Sequence, residues 1–258
     1  MNIMRTFEGR LKNIKLIAFD LDNTLYDETV YFKHSFKIIT PYLKNKFNID
    51  PKKSEKSLWW ILRKNGKHYH HLFDDLLFEY DIKPENLQKL LSLFKSVNGK
   101  LSLFPNVRNL LIQLKRRYQL SMITSGIQEV QKNKINLLNI QNFFEPVIYS
   151  SALKHDKPDE IPFRQLIKLT GVNTENIAYV GDNPFDDFIG PNNLGIVTIR
   201  VYNSDFKNIK IKTENDARIK LDNILDMKKV FLESHNLKNP YFGFGQFNIQ
   251  LLKAFKNL

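Results

Sequence analysis

Four short polar clusters in this sequence carry residue types that handle charge and move protons. They are Asp20-Leu21-Asp22-Asn23-Thr24, Thr124-Ser125-Gly126, Lys157-Pro158 and Gly181-Asp182-Asn183-Pro184-Phe185-Asp186-Asp187. In an extended segment, residues two apart point to the same side, so Asp20 and Asp22 present paired carboxylates. Three or more carboxylates without His or Cys suit a hard, oxygen-liganded ion such as Mg²⁺. One carboxylate can attack phosphorus as a nucleophile. A second, protonated carboxyl can serve as general acid and later as general base. A hydroxyl and an ammonium can hold phosphoryl oxygens as charge builds on them. Taken singly, each cluster has a plainer reading. Asp22 or Thr24 could cap a helix, and Asp186 and Asp187 could be first-turn acids favoured by a helix dipole. Thr124 or Lys157 alone could sit on the surface. What favours a shared site is their joint arrangement, each just beyond an apolar run.

Those apolar runs are the elements that must position the clusters. KLIAFDL at 15–21, LSMIT at 120–124, VIYS at 147–150 and IAYVG at 177–181 read as buried strands, and GIVTIRV at 195–201 reads as a fifth. They are short, apolar and unalternated, and amphipathic segments at 107–118, 128–138 and 161–170 separate them. Another helix is expected to begin at 184–189 and a last one to cover 223–232. The fold class is therefore α/β: a Rossmann-like parallel sheet core with helices on both faces. Ligand groups in such sheets gather beyond the C-terminal ends of the strands. From about 27 to 98 only helical patterning occurs, over 30–45, 53–64, 70–80 and 84–97. The expected organisation is a core of 1–26 and 99–238, an inserted helical domain of 27–98, and a tail of 239–258. That tail carries Tyr241, Phe242, Phe244 and Phe247 and is expected to pack on the core.

The chain has 258 residues, with 39 Lys plus Arg against 27 Asp plus Glu, a net charge of +12. Cysteine is absent, which excludes disulfide scaffolds, thiolate metal sites and cysteine nucleophiles. No apolar run approaches the roughly 20 residues that span a bilayer. No apolar block of signal-peptide length precedes the first strand. The expectation is a cytoplasmic protein with no membrane partner, a monomer or homodimer. The charge admits two readings: nucleic-acid binding, or a lysine-rich surface that draws in small anions. Because the lysines are spread along the whole chain, nucleic acid is the weaker expectation.

At the four clusters the sequence resembles haloacid dehalogenase superfamily phosphatases, over about residues 15–232. DLDNT at 20–24 matches the family's first motif, DxDxT, and ITSG at 123–126 matches the second. KPDEIPF at 157–163 matches the third, and GDNPFDD at 181–187 the acidic fourth, where this branch often has Asn in place of Asp186. The helical block lies where one large branch carries its cap domain. The resemblance implies that Asp20 is the nucleophile, forming an aspartyl phosphate, and that Asp22 is the general acid and base. It implies that Thr124 binds the phosphoryl group, with Ser125 and Gly126 beside it, and that Lys157 neutralises charge. Mg²⁺ would be held by Asp20, Asp22 through its backbone carbonyl, and Asp182, with Asp187 in support. The implied activity is that of a Mg²⁺-dependent phosphomonoesterase acting on a small phosphorylated metabolite. Dehalogenases of the superfamily lack an acid at Asp22, because a departing halide needs no proton. Phosphomutases tend to have Gly-Val where this chain has Asn23-Thr24.

Substrate choice falls to the cap, where the stretch from Asn65 to His71 is the most unusual. Lys67, His68 and Tyr69 are candidate substrate-reading residues, and a solvated interhelix loop is an equal alternative. Tyr26 and Asp27 are candidate hinge or entrance residues. The LDNTLY form is similar to pyrimidine 5′-nucleotidase-type members and to sugar phosphate phosphatases. The expected substrate is accordingly a nucleoside monophosphate or a sugar phosphate. The competing readings are a basic nucleic-acid or partner-binding protein on the same core, and a phosphomutase.

Overall fold

A computed structural model describes residues 10–67, 69–202 and 206–233. The aromatic tail and His68 lie outside the described residues. The chain divides into two compact units. The first comprises residues up to Asp27, Leu103–Ser125 and the chain from Ile140 onward; the second comprises Glu28–Ser102 and Gly126–Asn139.

The first unit is built on a parallel sheet of six strands in the order β3-β2-β1-β4-β5-β6. These are β1 (Leu16–Phe19), β2 (Gln119–Thr124), β3 (Val147–Tyr149), β4 (Ile177–Gly181), β5 (Val197–Val201) and β6 (Ile219–Leu221). Every residue of β1, β4 and β5 is buried. That burial explains the continuous apolar runs of β1 and β4, since a strand covered on both faces has no solvent side for polar residues. Leu16 and Ala18 of β1 and Ile177 and Tyr179 of β4 pack with Phe163 and Leu166. The last two belong to the helix Ile161–Thr170. The helix Val107–Lys115 buries Val107, Leu110, Leu111 and Leu114, the apolar stripe of its 3.6-residue period. β1 neighbours β2 on one side and β4 on the other, so the chain reverses its direction of progress across the sheet there. Ligand groups gather at the C-terminal ends of such strands.

Three features of this unit differ from the sequence expectation. The segment from Pro184 is a turn, and the helix there is Ile189–Asn193. Asn183 accounts for this: its side-chain oxygen accepts from the Phe185 N–H at 3.0 Å, an Asx turn that competes with helix start. β6 gives no strand signal in the sequence. It has three residues, and Lys220 between two buried neighbours is exposed, so it offers little pattern. The expected helix over 223–232 is a 3₁₀ turn at Ile224–Asp226 and a π turn at Lys229–Glu233. The loop before β6 is held by Arg200, which is buried at the end of β5. Its guanidinium pairs with Asp216 at 3.3 Å and donates to the Phe206 and Ile209 carbonyls at 2.6 and 3.2 Å.

The second unit is helical. Numbered in chain order, its helices are α1 (Thr29–Phe47), α2 (Pro51–Asn65), α3 (Leu72–Glu79), α4 (Leu87–Lys95) and α6 (Gln128–Leu137). Val107–Lys115 of the first unit is α5, Ile161–Thr170 is α7 and Ile189–Asn193 is α8. Phe36, Ile39 and Leu43 of α1 meet Leu58 and Ile61 of α2 and Leu76 of α3 in one apolar core. Asp50 caps α2 by accepting from the Lys53 N–H at 2.9 Å, with Pro51 in the first turn. The sequence expectation placed 128–138 with the sheet, whereas α6 belongs to this unit. Polar bonds explain it: Asn133 donates to the Val97 and Lys95 carbonyls at 2.7 and 3.2 Å. Lys134 pairs with Glu28 at 3.0 Å, both nearly fully buried.

Candidate active site

β1 ends at Phe19, and the next residue is tied to the neighbouring strand: the Asp20 N–H donates to the Val180 carbonyl at 2.8 Å. This places Asp20 beside the end of β4, whose last residue is Gly181 and which Asp182 follows. The side chains then converge. The Lys157 ammonium lies 2.6 Å from Asp20 Oδ1 and 2.6 Å from Asp187 Oδ1. It also donates to the Tyr179 hydroxyl at 2.9 Å, and that hydroxyl donates to Asp187 Oδ1 at 2.9 Å. The other oxygen of Asp187 accepts from the backbone N–H groups of Asp182 and Asn183, at 3.1 and 2.9 Å. Asp187 thus closes the 182–187 loop on itself while facing the lysine. Thr24 Oγ1 donates to Asp20 Oδ2 at 3.2 Å and lies 3.4 Å from Asp182 Oδ1.

All of these charged side chains are buried. Burial pushes the Asp20 carboxyl up to about 7. Asp187 and Asp22 add to the rise, and Lys157 opposes it. Burial disfavours the charged form of Lys157, yet Asp187, Asp20 and Tyr179 outweigh it and hold the ammonium well above the ordinary lysine range. The Tyr179 phenol is raised as well, chiefly by burial. Lys157 is therefore a fixed cation at neutral pH, and Asp20 is a carboxyl whose charge depends on what positive charge stands beside it.

Carboxylate oxygens of Asp20, Asp182 and Asp187 lie within 4.8 Å of one another, all buried. This set consists of hard oxygen donors with no sulfur or imidazole, the donor chemistry of a hard divalent cation. Both oxygens of Asp187 already accept from donors of the protein. That leaves it better placed to order the cluster than to ligate. The Asp22 carboxyl is outside the cluster; its Oδ1 accepts from the Tyr26 hydroxyl at 2.6 Å.

The remaining sequence candidates fall as follows. Thr124 ends β2, next to β1, and is buried. Its carbonyl accepts from Ser150 Oγ, which lies 3.0 Å from Ser125 Oγ. Ser150 also donates to Asp156, the residue before Lys157. Gly126 has φ of 97°, and a Cβ there would meet nothing within 4 Å. Lys67 donates to Thr29 Oγ1 at 3.0 Å and Tyr69 to Asp75 at 2.9 Å, both within the helical unit. Tyr26 is fully buried, whereas Asp27 is exposed. Tyr179 carries no site signal in the sequence, whereas Thr24 stands in the first cluster and Tyr26 is expected only as a hinge or entrance residue. The tyrosines lie in apolar surroundings where Phe would serve equally for packing. A hydroxyl there is the only signal that a polar partner waits nearby.

The family model described as haloacid dehalogenase-like hydrolase matches residues 17–201. The chain is 29% identical over 224 residues to a glyceraldehyde 3-phosphate phosphatase of Methanocaldococcus jannaschii, covering 84% of this chain and 97% of that one. It is 30% identical over 191 residues to the protein of the same name from Pyrococcus abyssi, covering 72% and 80%. Among solved structures it resembles the HAD-hydrolase YfnB of Bacillus subtilis bound to magnesium. The TM-score is 0.62 at 17% identity, with 84% of this chain and 98% of that one covered. The strand order, the buried carboxylates around Lys157 and the length of the family match agree: the chain is an enzyme that belongs to the haloacid dehalogenase-like hydrolases.

Proposed function

We propose that this phosphatase of the haloacid dehalogenase-like family is a Mg²⁺-dependent phosphomonoesterase working through an aspartyl phosphate. The observation that carries the reading is the Lys157 ammonium held 2.6 Å from Asp20 within the buried three-carboxylate cluster. Asp20 attacks phosphorus, and the bond to the leaving oxygen breaks. The Asp22 carboxyl gives its proton to that oxygen, so the alcohol leaves neutral. Water then attacks the phosphorus of the aspartyl phosphate. Asp22, now a carboxylate, takes the water's proton, the Asp20–phosphorus bond breaks, and phosphate is released. Thr124 and Lys157 hold the phosphoryl oxygens, and Ser125 and Gly126 present the loop that follows β2. Asp20, Asp182 and the Asp22 carbonyl are the groups that would hold the cation, with Asp187 ordering their loop. When bound, Mg²⁺ supplies the charge that keeps Asp20 ionised and offsets repulsion between carboxylates and phosphate.

The substrate class is a small phosphate monoester, with a triose or other sugar phosphate ahead of a nucleoside monophosphate. Two relatives named as glyceraldehyde 3-phosphate phosphatases support that order. The net charge of +12 suits any anionic substrate. The test is phosphate release from a panel of triose, hexose and nucleoside phosphates, with Mg²⁺, with EDTA, and with Asp20→Asn. Release that needs Mg²⁺ and disappears in the variant supports the proposal. Release undiminished in Asp20→Asn would sink it.

A further inference from the structure

The carboxyl of Asp22 has an anchor separate from the one that orders Asp20. The Tyr26 hydroxyl donates to Asp22 Oδ1 at 2.6 Å, a short O–H···O bond. The chain makes a single turn between the two residues. Leu25 N–H donates to the Leu21 carbonyl at 3.0 Å, and Asn23 takes the left-handed conformation at φ 58°. That turn brings Tyr26 alongside Asp22, and a parallel β-bridge joins their main chains. A second, antiparallel bridge fixes Tyr26 to Leu103, and the Phe104 N–H donates to the Leu25 carbonyl at 2.9 Å. The phenol is fully buried and its backbone is pinned on two sides.

This geometry has a consequence for proton delivery. A carboxyl that must give a proton to one particular atom has to keep one oxygen facing that atom. While the phenol donates to Oδ1, the acid proton sits on Oδ2. The hydrogen-bonded oxygen faces the tyrosine, and the proton-bearing one is presented elsewhere. We infer that Tyr26 is a positioning residue for Asp22: its phenol fixes the carboxyl so that the Oδ2 proton reaches the leaving oxygen. The inference rests on the phosphomonoesterase reading above. Packing alone would be served by Phe at this position, so the role lies in the hydroxyl.

The test exploits leaving groups. p-Nitrophenolate departs without a proton, whereas the alkoxide of glycerol phosphate does not. kcat/KM covers only the steps up to transfer onto Asp20. Tyr26→Phe should lower kcat/KM for glycerol phosphate by about 10- to 100-fold and for p-nitrophenyl phosphate by less than about 3-fold. Turnover of the aryl ester also reports that the variant is folded. In an Asp22→Asn background, Tyr26→Phe should cost glycerol phosphate turnover nothing further, because the group it positions is already gone. Equal losses on both esters, an unchanged glycerol phosphate rate, or additive losses in the double variant would each overturn the role of Tyr26. Wild-type protein that released phosphate from neither ester would remove the phosphomonoesterase reading and this inference together.

Discussion

At the scale of single residues, the site is a contest between burial and charge. Asp20 is held up to about 7 by burial, even with Lys157 at 2.6 Å. A carboxyl raised in the fold stabilises it fully below its unfolded value, near 3.8, and that stability is lost as pH climbs through about 7. Replacing it with Asn removes the slope. In EDTA, Asp20→Asn should therefore melt above the wild type at pH 8, by roughly 2–4 kcal/mol, with the gain shrinking toward pH 4. Lys157 keeps Asp187 as a partner in that variant, so no buried ammonium is stranded. Phosphate release should fall at least about 1,000-fold in the same protein. Melting curves across pH, read beside turnover, check both; a variant less stable than wild type at pH 8 would refute the charge argument. Asp20 and Asp182 were legible because each follows an apolar run, and Lys157 because it stands in a Lys-Pro pair in the loop between a strand and a helix. Tyr179 was not, because a tyrosine in an apolar run looks like core until its neighbour across the sheet is known, and Tyr26 was legible only as a hinge candidate, because its bond to Asp22 depends on the turn between them.

At the scale of elements, the strands that carry the site were the easiest to read. β1 and β4 are buried along their whole length, so their sequences are nearly pure apolar runs. Edge strand β6 shows only a three-residue trace, and α8 begins five residues later than the helix start expected at Pro184. The membership of α6 in the helical unit rests on Asn133 and Lys134, polar contacts that periodicity does not encode. α8 nonetheless has a direct bearing on the site. A Cβ on Gly190 would stand 2.6 Å from the Pro158 carbonyl oxygen and 2.9 Å from that of Asp159. Those atoms are backbone and continue directly from Lys157, so they cannot swing aside. Gly190→Ala gains about 1 kcal/mol of helix propensity, against an overpacking cost of about 1–3 kcal/mol. The clash should win, because rigid carbonyls must move. Net stability should drop by about 1–2 kcal/mol and kcat by about 10-fold or more, through displacement of Lys157. Denaturant unfolding and turnover of the same variant check this. Unchanged kcat would show that α8 does not set the lysine.

At the scale of the whole molecule, charge is distributed against its own trend. The protein carries +12 overall, yet its sheet unit gathers Asp20, Asp182 and Asp187 around the single ammonium of Lys157 in a buried place. The parallel sheet and the helical insertion followed from patterning, because alternating strands and helices leave few topologies open. The meeting of three carboxylates was expected from their places beyond the apolar runs, and the pairing of β1 with β4 brings Asp20 and Asp182 together. Among the described residues no helix is long and apolar enough to cross a membrane. A divalent cation is the plainest remedy for the excess negative charge, and binding only the folded chain makes it a stabiliser. At about 100 times its dissociation constant it contributes about 2.7 kcal/mol. For a chain of this size that is a rise of about 5–10 °C in melting temperature. Mg²⁺ should produce this rise in EDTA-stripped wild type. NaCl at matched ionic strength should not, which separates specific binding from screening. The shift should vanish in Asp182→Asn, which removes a ligand without touching Lys157. It should also be larger at pH 8 than at pH 6, since protons compete for the Asp20 carboxyl as pH falls through about 7. An Asp182→Asn variant stabilised as much as the wild type would place the cation elsewhere, and the buried carboxylates would need another explanation.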